Sequence, residues 1–123
     1  MAKIFVVDDD LDICFVIKHW LTLNGHAVES FDDDATLMDR IIAIHPDIIF
    51  LDINLHGKDG REVCKEIKEV TPEIVIILFS ANPSALMDFK ECAADDSFSK
   101  PFAFSLLNEK INKFMKQQSQ KHF

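Results

Sequence analysis

Three stretches of this 123-residue chain set a reactive side chain at the end of an apolar run, and a fourth sets one after a short strand candidate. Ile4-Phe5-Val6-Val7 leads into Asp8-Asp9-Asp10, Ile48-Ile49-Phe50-Leu51 into Asp52, and Ile74 to Phe79 into Ser80, while Lys100-Pro101 follows a short run around Ser97 to Ser99. Carboxylates gathered within a few ångströms repel one another, so at neutral pH they must raise their pKa values, accept hydrogen bonds or bind a cation. A hard divalent ion such as Mg²⁺, held by one or two carboxylates, waters and a phosphate, satisfies such a group. A hydroxyl and an ammonium around the same point complete a phosphoryl site, in which the metal and Lys100 neutralise oxygens and Ser80 donates to one of them. Taken singly, Ser80 and Lys100 are ordinary loop residues; their joint position raises them.

Each candidate has a plainer reading. Asp just before a helix stabilises its free N–H groups, so Asp10 is expected to cap, with Asp8 and Asp9 on the metal side unless they too serve the helix. Asp32-Asp33-Asp34 has the same composition and is expected only to cap and be solvated. Asp52 ends an apolar run in the middle of the expected sheet, where a buried carboxylate needs a reason.

The elements that must position these groups alternate. After Asp10, residues Leu11, Cys14, Phe15, Ile17, Lys18 and Leu21 recur at helical spacing until Asn24-Gly25. His26 to Phe31 reads as a second strand, followed by a helix through Leu37, Met38, Ile41, Ile42 and Ile44 that stops before Pro46. Ile48 to Leu51 is a third strand, Gly57 and Gly60 shape the next loop, and Val63, Ile67 and Val70 carry a helix closed near Pro72. Ile74 to Phe79 is uniformly apolar, as a strand covered on both faces should be. A shorter helix near Ala85 to Cys92, a strand around Ser97 to Ser99 and a helix through Phe104, Leu107, Ile111 and Phe114 complete five units. Right-handed crossovers make this an α/β, doubly wound parallel sheet, whose commonest five-stranded order is 2-1-3-4-5, as in flavodoxin-like sandwiches. Its crevice lies at the carboxyl ends of strands 1 and 3, which brings Asp8, Asp9 and Asp52 together.

Composition sets limits. The net charge is −8, which disfavours the phosphate contacts on which general nucleic-acid affinity rests, so no direct nucleic-acid binding is expected. The deficit lies in residues 1–60, with twelve acidic and four basic groups; residues 61–123 hold nine of each. No apolar stretch approaches the roughly 20 residues of a membrane span, and Ile4 to Val7 is too short for a signal peptide. Cys14, Cys64 and Cys92 are odd in number and widely spaced, so reduced thiols and a cytoplasmic location are expected.

In its segments Val6-Val7-Asp8-Asp9-Asp10, Pro46 to Leu55, Asp59-Gly60, Ile77-Leu78-Phe79-Ser80-Ala81 and Ser99-Lys100-Pro101-Phe102, the chain resembles the receiver domains of two-component response regulators, from Ile4 to about Met115. The resemblance implies that Asp52 accepts a phosphoryl group from a phosphohistidine on a histidine kinase or histidine phosphotransfer protein. It implies that Asp9, Asp52 and the Asn54 backbone carbonyl bind Mg²⁺, with Asp8 acting mainly through water, and that Ser80 and Lys100 contact the phosphoryl. Movement of Ser80 would then switch binding to a downstream protein or output domain, and the Lys100–Pro101 bond would be cis.

Some positions depart from that pattern. Ser80 stands for a commoner Thr and keeps the hydroxyl. Ser97 stands where the family usually has an aromatic that swings inward, and strand alternation should point Phe98 to the other face. His56 and Lys58 place polar groups beside the site, His56 as a solvated loop residue. Asn54 and Asn82 hold positions that resemblance links to phosphate lifetime. A haloacid-dehalogenase-type phosphatase would need an acid at position 54, which Asn54 cannot supply, so self-phosphorylation without independent turnover is expected. A flavodoxin would cradle a phosphate where Asp8-Asp9-Asp10 repels one. A receiver-like module that binds protein without phosphate is the remaining alternative. Residues 1–116 are expected to form the receiver domain and 117–123 a polar tail or the start of a linker, with readout by protein contact or by a segment beyond these residues. Helix 1 is the candidate kinase-docking surface, and the basic last helix is a second docking candidate or simply a solvated face.

Overall fold

In the computed structural model, which describes residues 2–86 and 89–121, the sheet is built by alternation. Strand β1 (Lys3–Val7) sends Ile4 and Val6 to one face and Phe5 and Val7 to the other, and all four are buried. The same parity divides β3 (Ile48–Asp52), with Ile48 and Phe50 on the first face and Ile49 and Leu51 on the second. With β2 (Ala27–Phe31), β4 (Val75–Ser80) and β5 (Asp96–Ser99) the sheet is parallel, in the order β2-β1-β3-β4-β5. That is the expected order, the commonest for five such units.

Helices α1 (Leu11–Leu23) and α4 (Phe104–Lys121) cover the first face through Cys14, Ile17, Leu21, Leu107, Ile111 and Phe114. Helices α2 (Leu37–Ile44) and α3 (Gly60–Val70) cover the second through Leu37, Ile41, Val63, Cys64 and Ile67. Burying each of these larger apolar side chains is worth about 1.5–3 kcal/mol, so the two cores lock the strand ends that carry the reactive groups.

Two sequence expectations need correction, the helix near Ala85 to Cys92 and the capping by Asp32-Asp33-Asp34. Between Ala85 and Cys92 there is no α-helix among the described residues but two 3₁₀ turns, Pro83–Leu86 and Phe89–Cys92; Met87 and Asp88 lie outside them. The Asn82 carboxamide oxygen accepts from the N–H and hydroxyl of Ser84, closing a local turn that competes with helical bonding. On α1, Leu11 and Phe15 are exposed although they fall at helical spacing; the stripe that meets the sheet is narrower. Nor does the second acidic triplet cap α2, whose cap position is Thr36 with no side-chain hydrogen bond. The expected tail is helical in backbone as far as Lys121, and His122 and Phe123 lie outside the described residues.

Candidate functional site

Register brings the reactive groups together. Val7 pairs with Leu51, so Asp8 and Asp52 are the next residues on adjacent strands. Asp52 pairs with Phe79, one residue before Ser80, and Ser80 pairs with Ser99, one residue before Lys100. The Lys100 N–H donates to the Ser80 carbonyl at 2.8 Å, and the Lys100–Pro101 bond is cis as expected. Asp8, Asp52 and Ser80 are all buried, and Asp9 is half-buried.

The Lys100 ammonium lies 2.8 Å from Asp8 Oδ2 and 3.1 Å from Asp52 Oδ2, and 4.9 Å from the centre of the Phe79 ring. Each acid also accepts from a backbone N–H: Asp8 Oδ1 from Asp10 at 2.9 Å, Asp52 Oδ1 from Asn54 at 3.2 Å, and Asp9 Oδ2 from His56 at 3.3 Å. Ser80 Oγ accepts from the Asn82 N–H at 3.0 Å. Burial pushes the Asp8 carboxyl up to about 7, helped by neighbouring Asp52 and opposed by Lys100 and the Asp10 N–H. For Lys100 burial alone acts downward, but its bonds to the two carboxylates more than reverse this, and its pKa is raised.

One carboxylate oxygen from each of Asp8, Asp9 and Asp52 lies within 4.8 Å of the others. Three hard oxygen donors converging this closely suit a hard divalent cation such as Mg²⁺ better than a soft metal. Asp10 stands apart from them as the α1 cap, accepting from the N–H groups of Asp12 at 3.0 Å and Ile13 at 3.3 Å. Beside Ser80, a cavity of about 290 Å³ is lined in part by Asn54, Lys58, Arg61 and Asn82.

Several contributors are invisible as chemistry in the sequence. Gly60 packs so closely on β3 that a side chain there would collide with the Asp52 carbonyl oxygen, and its N–H donates to Ile53 at 2.6 Å. Asp59 caps α3 through the Arg61 N–H at 2.9 Å, and its carboxyl is held low chiefly by the Arg61 guanidinium. The Cys14 thiol donates to the Asp8 carbonyl at 3.2 Å, bracing the β1 loop from α1. Ser97 is half-buried, whereas Phe98 turns into the core, stacked on Phe79 at 5.4 Å, as strand alternation predicts.

Known proteins share the fold that carries these residues. The family model described as response regulator receiver domain matches residues 4–112. Response regulator MprA of Mycobacterium sp. (strain KMS) is 29% identical over 120 residues, covering 96% of this chain and 52% of MprA, so the chain spans about half the length of the curated relatives it matches. The receiver domain of NtrX from Brucella abortus is 29% identical with a TM-score of 0.85, over 92% of this chain and 98% of that one. The beryllofluoride-activated DrrB receiver domain is 30% identical with a TM-score of 0.83, over 94% and 98% of the two chains; DrrB is from Thermotoga maritima.

Proposed function

The chain belongs to the response regulator receiver family of two-component systems, and from that premise we propose that Asp52 is its phosphoacceptor, supplied by a histidine kinase or a histidine phosphotransfer protein. A carboxylate oxygen of Asp52 attacks the phosphorus, the P–N bond to the donor imidazole breaks, and its electron pair remains on the imidazole nitrogen. The single observation that carries this reading is Asp52 itself, a carboxylate buried at a strand end with Lys100 at 3.1 Å and two further carboxylates beside it. No packing role accounts for three acids and one ammonium in a buried crevice.

Asp8, Asp9 and Asp52, with the Asn54 carbonyl, would hold Mg²⁺, which when bound supplies positive charge to the transferring oxygens. Lys100 neutralises the charge left over and keeps Asp52 oriented. Ser80, at the end of the strand next to Asp52, donates its hydroxyl to a phosphoryl oxygen and so moves with it. The chain performs this transfer on itself and has no independent turnover. Its partners are the phosphodonor, docking beside the site on α1, and a downstream protein or output domain. Among the described residues no helix is long and apolar enough to cross a membrane, and a cytoplasmic location fits a phosphohistidine donor.

Incubation with acetyl phosphate and Mg²⁺, read by intact mass, should add one phosphoryl group, which Asp52→Asn or chelation should remove. Beryllofluoride, the group that activates the DrrB receiver, should compete with it. An adduct that persists in Asp52→Asn would overturn the assignment.

A further inference from the structure

After β3 the chain makes a small antiparallel hairpin, Asn54–Leu55 against Lys58–Asp59. His56 and Gly57 turn it with φ of 47° and 81°, so that Lys58 returns beside Leu55. Two contacts tie it across the carboxyl edge of the sheet. The His56 N–H donates to Asp9 Oδ2 at 3.3 Å, and Lys58 Nζ meets Asp34 Oδ2 at 2.5 Å, in the loop after β2. Because β2 and β3 flank β1, the Lys58–Asp34 pair bridges the loops on either side of the one that carries Asp8 and Asp9.

We propose that Lys58 and Asp34 are positioning residues for the divalent-cation site: their ion pair clamps the hairpin down, keeping the His56 N–H on Asp9 and Asn54 next to Asp52. This rests on the reading of Asp8, Asp9 and Asp52 as the Mg²⁺ site. It also gives the Asp34 carboxylate a purpose that neither capping nor solvation supplies, since the local turn is closed by the Asp33 carboxylate, accepting from the Ala35 N–H at 2.9 Å, and by the Asp34 backbone carbonyl, accepting from the Leu37 N–H at 3.2 Å.

Clamping and simple charge make opposite demands on one variant. At physiological salt, charges act over roughly 8 Å. If only through-space charge mattered, Lys58→Met would remove a cation near the acids and tighten Mg²⁺, whereas Asp34→Asn would loosen it. If the pair positions the hairpin, both variants loosen Mg²⁺, each by roughly two- to fivefold, the range for an exposed ion pair.

The experiment titrates Mg²⁺ into the whole chain by calorimetry, with Lys58→Met, Asp34→Asn, the double variant, the reversed pair Lys58→Asp with Asp34→Lys, and Asp52→Asn as the site control. Exchange of the His56 amide is followed by NMR without metal. The clamp requires both single variants to weaken Mg²⁺, the double to match a single, the reversed pair to return within about twofold, and the His56 amide to exchange faster in both singles. Tighter Mg²⁺ binding in Lys58→Met, or an unchanged His56 amide, overturns it. Failure of the underlying reading looks different: the wild type and Asp52→Asn then bind Mg²⁺ equally poorly, and the clamp's role falls with it.

Discussion

Two acidic triplets of identical composition follow adjacent strands, and the fold uses them differently. Asp8-Asp9-Asp10 follows β1, which has a strand on each side; Asp32-Asp33-Asp34 follows β2, at the sheet edge. Each triplet forms an ion pair with a lysine. Lys100 and Asp8 are 16% and 0% exposed in their side chains, Lys58 and Asp34 48% and 25%. The contrast shows that an Asp run acquires chemistry from burial and from what neighbouring strands deliver, since a charge beside a second strand end loses solvent and gains partners that an edge charge does not.

The largest expected effect on rate tests that contrast directly. Asp9→Asn should slow Mg²⁺-dependent phosphorylation of Asp52 by on the order of 100-fold, the scale of losing an electrostatic contact in a reacting site. Asp33→Asn should leave the rate within about twofold, as followed by mass spectrometry; equal effects would erase the distinction between the triplets.

Next come the lysines. Lys100→Met strands Asp8 and Asp52 without their ammonium and should lower stability by about 3–5 kcal/mol in metal-free urea titrations at pH 8. Lys58→Met should shift the midpoint only marginally, because its pair is open to water.

A pH series sharpens the same point. The Asp8 pKa is raised in the folded state from 3.8 to about 7, so the folded state holds this proton more tightly than the unfolded one. Its contribution is therefore greatest below about pH 4 and is lost as pH climbs to about 7. Asp8→Asn should accordingly stabilise the metal-free protein more at pH 8 than at pH 4, in thermal melts at both values. A pH-independent difference would place the cause outside ionisation.

The smallest effect separates the triplets as caps. Asp10→Ala should lower stability by about 1 kcal/mol through loss of two N-terminal N–H bonds of α1. Asp32→Ala should stay within about 0.5 kcal/mol, as for surface positions generally, by chemical denaturation.

Much of the site was legible because a parallel strand ends where its apolar run ends. Asp8, Asp52 and Ser80 each stop such a run, and the strand order places them at one crevice. The Phe98 orientation followed from the two-residue period of a strand. Less legible was anything that depends on which part of a helix meets the sheet. Leu11 and Phe15 share the spacing of Cys14 and Ile17 yet remain exposed, because the buried stripe of α1 is narrower than its apolar residues. The segment from Ala85 to Cys92 looked helical, but Asn82 closes a local turn and, among the described residues, Leu86 and Cys92 are its buried anchors.

By itself the sequence determined the α/β class, the five strands of the sheet and the residues that end them, since periodicity and run length are local properties of the chain; the strand order was expected only as the commonest for such a sheet, and pairing fixed it. Tertiary structure alone decided that Lys100 bridges Asp8 and Asp52, that Gly60 must lie bare against the Asp52 carbonyl, and that Lys58 reaches Asp34. Those contacts join residues up to 92 positions apart, and only the packed sheet, with its register fixed by two buried cores, sets the distances between them.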